Sequence, residues 1–347
     1  MYSESDLDTA VAAGAISAEA AQAFRLHVAA ERHAPAVDEE HFRLLTGFND
    51  IFVSIALVLL LVAVAQIGES IATPWSGALV AAAAWALAIV FTARRRMALP
   101  SILLLAAFVG GVAFSIATAL TSALTSTMME SGSDRMVGVV TAAAALGATA
   151  AAWLHWRRFM VPITVAAGAC AVAALLLGTL LAIAPGLQNS VWLLLFIAGL
   201  AIFALAMRWD LSDPARRTRR ADVAFWLHLA AAPMIAHPVF QMLGVFGEQS
   251  GVDTAVAALA LYAVFGFVAL AVDRRALLVS SLVYVLFALG SLFRTAGAVE
   301  LSAAFTALVI GSALLSLSVF WHPMRRRVVG LLGNAGRRLP PVEMAAT

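Results

Sequence analysis

The residues best suited to polar chemistry lie in one apolar segment, residues 225–243, with the sequence FWLHLAAAPMIAHPVFQML. The segment carries two imidazoles, His228 and His237, and two prolines, Pro233 and Pro238. An imidazole can donate, accept or carry a proton near neutral pH, and a proline within a helix leaves the carbonyl four residues earlier without its usual donor. The pattern predicts a kinked helix with polar groups inside a hydrophobic region.

Two interpretations of this segment are open. In the first, the kinked helix forms the wall of a polar cavity in which His237 and Gln241 contact a solute, because freed carbonyls at membrane depth are tolerated beside water-filled cavities. In the second, each imidazole bonds a freed carbonyl or a neighbouring hydroxyl and only stiffens the kink. The two histidines are about 180° apart and ~14 Å apart along a straight helix, so they do not share one metal ion.

Few other ionisable groups lie near the apolar segments. Arg294 and Glu300 flank a short turn between two of them, and the turn is either closed by an ion pair or forms a substrate gate. Asp50 and Asp222 lie at the ends of apolar segments rather than at their centres. Because ion-coupled pumps usually keep acids near the membrane midplane, this placement disfavours a proton-driven transporter.

Signatures of enzymes and cofactor sites are absent from the sequence. It has no His-Glu-x-x-His zinc motif, no Gly-x-Ser-x-Gly nucleophile elbow and no Gly-x-x-x-x-Gly-Lys phosphate loop. The single cysteine, Cys170, excludes a disulfide within one chain. Asp210 and Asp213 alternate with arginines in RWDLSDPARRTRRAD, so we expect ion pairs in a solvated loop rather than a metal site. We expect no enzymatic activity, cofactor or bound metal.

Composition places the chain in a membrane. Hydrophobic residues make up 63% of the 347 residues, charged residues make up 12%, and the mean hydropathy is +0.94. A soluble domain does not hide that much apolar surface. The first thirty residues include acids and no apolar core, so we expect no cleavable signal peptide. The pI of about 9.2 does not indicate nucleic-acid binding, because the net charge is only +2 and the arginines lie in loops.

A helix needs about 20 apolar residues to cross the hydrocarbon core of a membrane. Ten segments approach this length, and the last two are separated by only a short hinge. The predicted spans are residues 51–68, 75–93, 99–120, 136–156, 161–184, 190–207, 222–246, 253–272, 275–296 and 299–320.

Arginine placement orients these spans. The chain has no lysine, so all 22 of its Lys and Arg residues are arginine. If the amino terminus is cytoplasmic, all of these arginines except Arg135 and Arg294 lie on the cytoplasmic side. This distribution follows the positive-inside rule. The sequence therefore predicts an all-α polytopic membrane bundle of about ten helices in a bacterial inner membrane, with both termini cytoplasmic.

The regions outside the spans differ in charge. Residues 1–47 form an acidic leader with predicted short helices, residues 48–322 form the bundle, and residues 323–347 form a basic tail. The leader either docks on the basic cytoplasmic face or is solvated without a fixed partner. The tail is either a basic interfacial helix on anionic lipid headgroups or a stop-transfer anchor that frays after Gly333.

The amino-terminal sequence resembles a known group of proteins. The stretch LDTAVAAGAISAEAA followed by FRLLTGFNDIFVSIALVLL looks like the beginning of uncharacterised bacterial multi-pass membrane proteins that carry a short helical cytoplasmic leader. The resemblance covers about the first seventy residues and implies a membrane location without an assigned activity.

Two functions from different classes are compatible with these patterns. The first is binding or transport of a small solute through a cavity beside the kinked seventh helix. The second is a non-transporting scaffold or sensor that acts through the acidic leader and the basic cytoplasmic face, with a protein partner that the sequence does not specify.

Overall fold

The computed structural model describes residues 4–32, 48–127, 134–213, 218–245, 252–295 and 302–333, together with Leu339. All regular secondary structure within these ranges is helical. The chain divides into two compact units, Met1–Leu44 and Leu45–Thr347.

The first unit contains two short helices. Helix α1 covers Glu4–Ala12 and α2 covers Ala18–Arg32. The turn between them includes Gly14 at a φ of 71°, a left-handed conformation that glycine adopts without strain. The side chain of Arg25 donates to Asp8 across the pair at 2.8 Å. The described part of the acidic leader is thus a helical hairpin.

The second unit contains eleven α-helices in the described residues. They are α3 (Phe48–Ile71), α4 (Thr73–Ala88), α5 (Ala98–Thr127), α6 (Asp134–Phe159), α7 (Ile163–Ile183), α8 (Val191–Leu211), α9 (Arg219–Met242), α10 (Val252–Val272), α11 (Ala276–Thr295), α12 (Ser302–Val319) and α13 (Trp321–Leu331). A π-helical turn, Ile89–Arg94, extends α4, and a 3-10 helix, Pro185–Ser190, precedes α8.

Eight of the described helices, α3 to α10, are long and apolar enough to cross a membrane. The count rises to nine if α12 and α13, which are bent by 76° at their junction, are taken as one span. Helix α11 contributes a shorter apolar stretch, Ala276–Gly290. Large apolar side chains such as Leu59, Leu176 and Val283 are more than 60% exposed, as expected of a surface that faces lipid. The prediction of an all-α chain with many apolar helices of membrane-spanning length is confirmed, and the count of ten spans stays a prediction.

Small residues let neighbouring helices approach closely. A Cβ placed on Gly111 of α5 would lie 2.7 Å from the carbonyl oxygen of Gly77 in α4. A Cβ on Gly199 of α8 would lie 2.9 Å from the backbone carbonyl carbon of Met234 in α9. Lipid tails are as apolar as the side chains, so close van der Waals packing of this kind is a main source of helix association in membranes.

Helix α9 is the most enclosed of the spans. In its most apolar stretch 56% of the residues are buried, against 17–39% in the other seven. Its buried positions recur every three or four residues and pack against α7, α8 and α11. Helix α9 is therefore the element around which the carboxyl-terminal part of the bundle is assembled, and it carries both predicted site histidines.

Candidate functional site

The amino terminus of α9 is fixed by a local polar network. The Thr218 hydroxyl accepts a hydrogen bond from the backbone N–H of Arg220, which is the usual N-cap arrangement. The backbone N–H and the hydroxyl of Thr218 both donate to Asp213 Oδ2, at 2.8 and 2.7 Å. This network sets where α9 begins relative to the end of α8.

The main polar cluster of the bundle joins His228 to Asp210 and Arg274. His228 Nε2 lies 2.9 Å from Asp210 Oδ2. The Arg274 guanidinium donates two hydrogen bonds to the same carboxylate. Its Nη2 donates to Oδ1, and its Nε donates to Oδ2 at 3.2 Å. All three residues are almost fully buried, with 2% to 4% of their surface exposed. We call Asp210, His228 and Arg274 the buried triad.

Three separate segments supply the buried triad. Asp210 lies in the last turn of α8, His228 lies three turns into α9, and Arg274 lies in the connection between α10 and α11. The Phe203 ring of α8 contacts the His228 ring edge to face, with centroids 5.1 Å apart. The triad therefore joins α8, α9 and the α10–α11 connection at one end of the bundle.

The local sequence explains part of this geometry. The structure extends α8 to Leu211, four residues beyond the predicted end of its span, and this carries Asp210 into the packed bundle. The expectation of a solvated loop around Asp210 and Asp213 is wrong, since these residues are only 2% and 8% exposed. The expected ion pairing of Asp210 is confirmed, but its partner, Arg274, is 64 residues away rather than in the neighbouring arginine cluster.

Desolvation explains why the triad is assembled as a unit. Removing an ion from water costs several kcal/mol even after the protein relaxes, and a bidentate arginine–carboxylate pair offsets much of that cost. Asp222 is exposed at the start of α9 and interacts electrostatically with Arg219, Arg274 and Asp213. The triad is thus a compact charged group at one end of the bundle, with further charges around it.

The turn that contains Arg274 also contacts α13, through its other two residues. Asp273 has a φ of 61°, a left-handed conformation that is uncommon for a residue other than glycine. Its carboxylate accepts a hydrogen bond from Trp321 Nε1 at 2.9 Å and lies 3.4 Å from Arg325 Nε. The Arg275 guanidinium lies 4.8 Å from the centre of the Trp321 ring. Consecutive side chains of this turn therefore contact different parts of the bundle.

His237 has a different environment from His228. Its Nδ1 lies 2.7 Å from the Tyr284 hydroxyl of α11, and its half-buried ring contacts Trp192 of α8 at 5.0 Å between centroids. The Tyr284 ring stacks in turn on Phe240, with centroids 4.6 Å apart. Gln241, one turn after His237, is half-buried. His237 bonds a hydroxyl on a neighbouring helix.

The structure separates the two predicted histidines and keeps the helix continuous. Helix α9 runs unbroken through Pro233, which is exposed, and Pro238, which is buried. His228 bonds a carboxylate, a partner that neither sequence interpretation included. The predicted ion pair between Arg294 and Glu300 lies outside the described residues, since neither the Arg294 side chain nor Glu300 is among them.

A third histidine, His155 of α6, was not selected from the sequence. It is fully buried, and its Nδ1 lies 3.1 Å from the Thr164 hydroxyl of α7. The rings of Trp85, Phe108 and Phe159 surround it at centroid distances of 6.5, 6.2 and 4.7 Å. The signal for it in the sequence was an imidazole within the predicted span 136–156, two residues before Arg157.

The described residues include no group of three or more His, Cys, Asp or Glu side chains placed to hold a metal ion. An open groove lies along α8. It is lined by Phe203, Ala204, Met207, Arg208, Leu211 and Ser212.

Comparison of the chain with models of protein families, with curated proteins and with solved structures finds no match.

Proposed function

We propose that this protein binds and moves a small solute across a bacterial inner membrane, along a path beside α9. The observation that carries the proposal is the buried triad of Asp210, His228 and Arg274 within the bundle. Ionisable side chains in membrane-spanning helices are rare and expensive, and they usually mark substrate or ion pathways. In this proposal the triad closes the cytoplasmic end of the path.

The proposal uses a ten-helix topology with both termini in the cytoplasm. Helices α3 to α12 are the ten spans, and all arginines except Arg135 and Arg294 are then cytoplasmic. The triad lies where α8 and the α10–α11 connection reach the cytoplasmic side. His237 and Tyr284 lie toward the opposite side, because His237 is ~14 Å further along α9 than His228.

Helix α9 suits the role of a moving or gating element. Polar side chains hold it at two levels. His228 bonds the triad carboxylate of α8, which Arg274 of the α10–α11 connection also bonds, and His237 bonds α11. Polar contacts of this kind can be exchanged for other partners, whereas a purely apolar interface offers no alternative set of discrete bonds. A change at either histidine would therefore alter how α9 packs on its neighbours.

Cysteine labelling tests the path directly. In a Cys170→Ser background, His237→Cys and Gln241→Cys are introduced singly, and a membrane-impermeant thiol reagent is added to intact cells and to inside-out vesicles. Ile235→Cys is the buried control and Val264→Cys is the lipid-facing control, since these side chains are 6% and 54% exposed.

We expect labelling of position 237 or 241 from at least one side while both controls stay unlabelled. That pattern would show that water reaches the interior of the bundle beside α9. If neither position is labelled from either side in a correctly inserted protein, the proposed path does not exist and the transport function is rejected.

The second candidate is a scaffold or sensor, and the separate leader unit favours it. The described leader is a hairpin of its own, with the Arg25–Asp8 contact across it and Ala21 fully buried. This candidate predicts no labelling beside α9. It also predicts that deletion of residues 1–44 abolishes complementation of a knockout strain while the bundle still inserts.

A further inference from the structure

Helix α13 leaves the bundle in a new direction. It begins two residues after α12 ends, and the axes of the two helices differ by 76°. If α12 crosses the membrane, as in the topology proposed above, α13 lies close to parallel to the membrane surface. A helix in this position is at the depth of the lipid headgroups.

One face of α13 is anchored to the bundle. Trp321 and Arg325 are 3% and 1% exposed, and both contact the Asp273 carboxylate. Trp321 also packs in an apolar cluster with Leu270 and Leu278, to which Val328 adds a partly buried contact. Positions 321, 325 and 328 lie on one side of a helix, so this side holds α13 on the α10–α11 region.

The opposite face of α13 is exposed and basic. Arg326 and Arg327 are both exposed, and neither makes a hydrogen bond or ion pair in the described part of the chain. Met324 and Leu331 on the same helix are 40% and 81% exposed. The helix contains no acidic residue. It thus combines uncompensated positive charge with apolar side chains.

We infer that α13 binds anionic lipid headgroups in the cytoplasmic leaflet through Arg326 and Arg327. Apolar side chains beside arginines suit the boundary between acyl chains and headgroups, where both kinds of group find partners. A basic surface that binds a soluble acidic partner would gain nothing from exposing Leu331. The inference uses the topology proposed above and is independent of whether the protein transports a solute.

The expected size of the effect follows from charge. Each arginine near an anionic surface strengthens association about fivefold, so two of them give on the order of 30-fold. Arg325 adds little to this sum, because its guanidinium is buried beside the Asp273 carboxylate. Neutralising Arg326 and Arg327 should therefore remove most of the preference of α13 for anionic lipid.

The test measures which lipids surround α13 in the full-length protein. In a Cys170→Ser background, Gly330→Cys carries a fluorescent donor; a Cβ at this position meets no atom within 4 Å. The protein is placed in phosphatidylcholine vesicles that contain a trace of acceptor-labelled phosphatidylglycerol or acceptor-labelled phosphatidylcholine. The ratio of energy transfer to the two acceptors gives the local enrichment of anionic lipid.

We expect a ratio clearly above one that falls close to one in the Arg326→Gln/Arg327→Gln variant and is kept in Arg326→Lys/Arg327→Lys. The matched control is Arg94→Gln/Arg95→Gln, which removes two exposed arginines from a different connection. We expect this control to keep at least half of the enrichment. High salt should lower the ratio, since screening weakens exposed charges.

Three results would overturn the inference. Equal loss in the two glutamine variants would show a general basic face rather than a site on α13. A ratio of one for the unmodified arginines would show no lipid preference. A ratio of one that rises after deletion of residues 1–44 would show that the acidic leader occupies α13 instead. Failure of the cysteine labelling beside α9 would leave these outcomes unchanged, so the two proposals are tested separately.

Discussion

Neutralising Asp210 alone should destabilise the protein far more than a surface change of the same charge. Arg274 is only 4% exposed, and its guanidinium donates two hydrogen bonds to the Asp210 carboxylate. Asp210→Asn removes this carboxylate charge and leaves the guanidinium buried. Breaking a buried pair by removing one partner costs about 3–5 kcal/mol, because the remaining charge stays desolvated. The amide that replaces the carboxyl still offers an oxygen to His228, so the loss reports mainly on the arginine.

A double-mutant cycle separates this charge effect from lost packing. Arg274→Met alone removes the cation and leaves Asp210 buried with only His228, so we expect a similar loss. The double variant Asp210→Asn/Arg274→Met leaves no unpaired ion, and we expect it to be more stable than either single variant. Asp253→Asn, which changes an exposed carboxyl in the first turn of α10, is the matched control and should stay within about 0.5 kcal/mol.

Thermal unfolding can be followed at Cys170, which is half-buried in α7. A dye that becomes fluorescent on reaction with a thiol reports when the bundle opens. At about 2 °C per kcal/mol, a value at the lower end of the range for soluble domains, each single variant should melt on the order of 6–10 °C below the unmodified protein. The reasoning is refuted if Asp210→Asn melts with the Asp253→Asn control, or if the losses of the two single variants simply add.

Three further predictions use the same protein. Gly111→Ala should lower the free energy of unfolding by about 1–3 kcal/mol, because its Cβ would meet the backbone of α4, whereas Gly110→Ala has open space and should be neutral in the same melting assay. Tyr284→Phe removes the hydroxyl partner of His237 and should cost about 0.5–1.5 kcal/mol; a loss under 0.2 kcal/mol would contradict a direct bond. Trp321→Phe removes the indole N–H that holds α13, so trypsin should cleave at the arginines of α13 faster, and an unchanged cleavage rate would refute this anchoring role.

The same turn that holds α13 also supplies Arg274 to the buried triad. Asp273 and Arg275 contact α13, while Arg274, between them, contacts Asp210. One turn of the chain therefore contacts both α13 and the buried triad.

The sequence by itself determined the class of fold and much of the element placement. Runs of about 20 apolar residues have few alternatives to membrane helices, because only helices satisfy every backbone polar group locally. The predicted spans from 51–68 to 253–272 therefore coincide with α3 to α10 within a few residues at most boundaries. The count of ten spans with cytoplasmic termini stays a prediction, as does the solute path.

The tertiary structure decided the partners of the polar groups. His228 was selected because an imidazole in an apolar run is conspicuous, but nothing local in the sequence points to Arg274, which lies 46 positions later. Asp210 and Asp273 carried a usable signal, since each is an acid within a few residues of a span end where arginines outnumber acids. Which acid meets which base depends on how helices pack side by side, and periodicity within one helix carries no information about its neighbours.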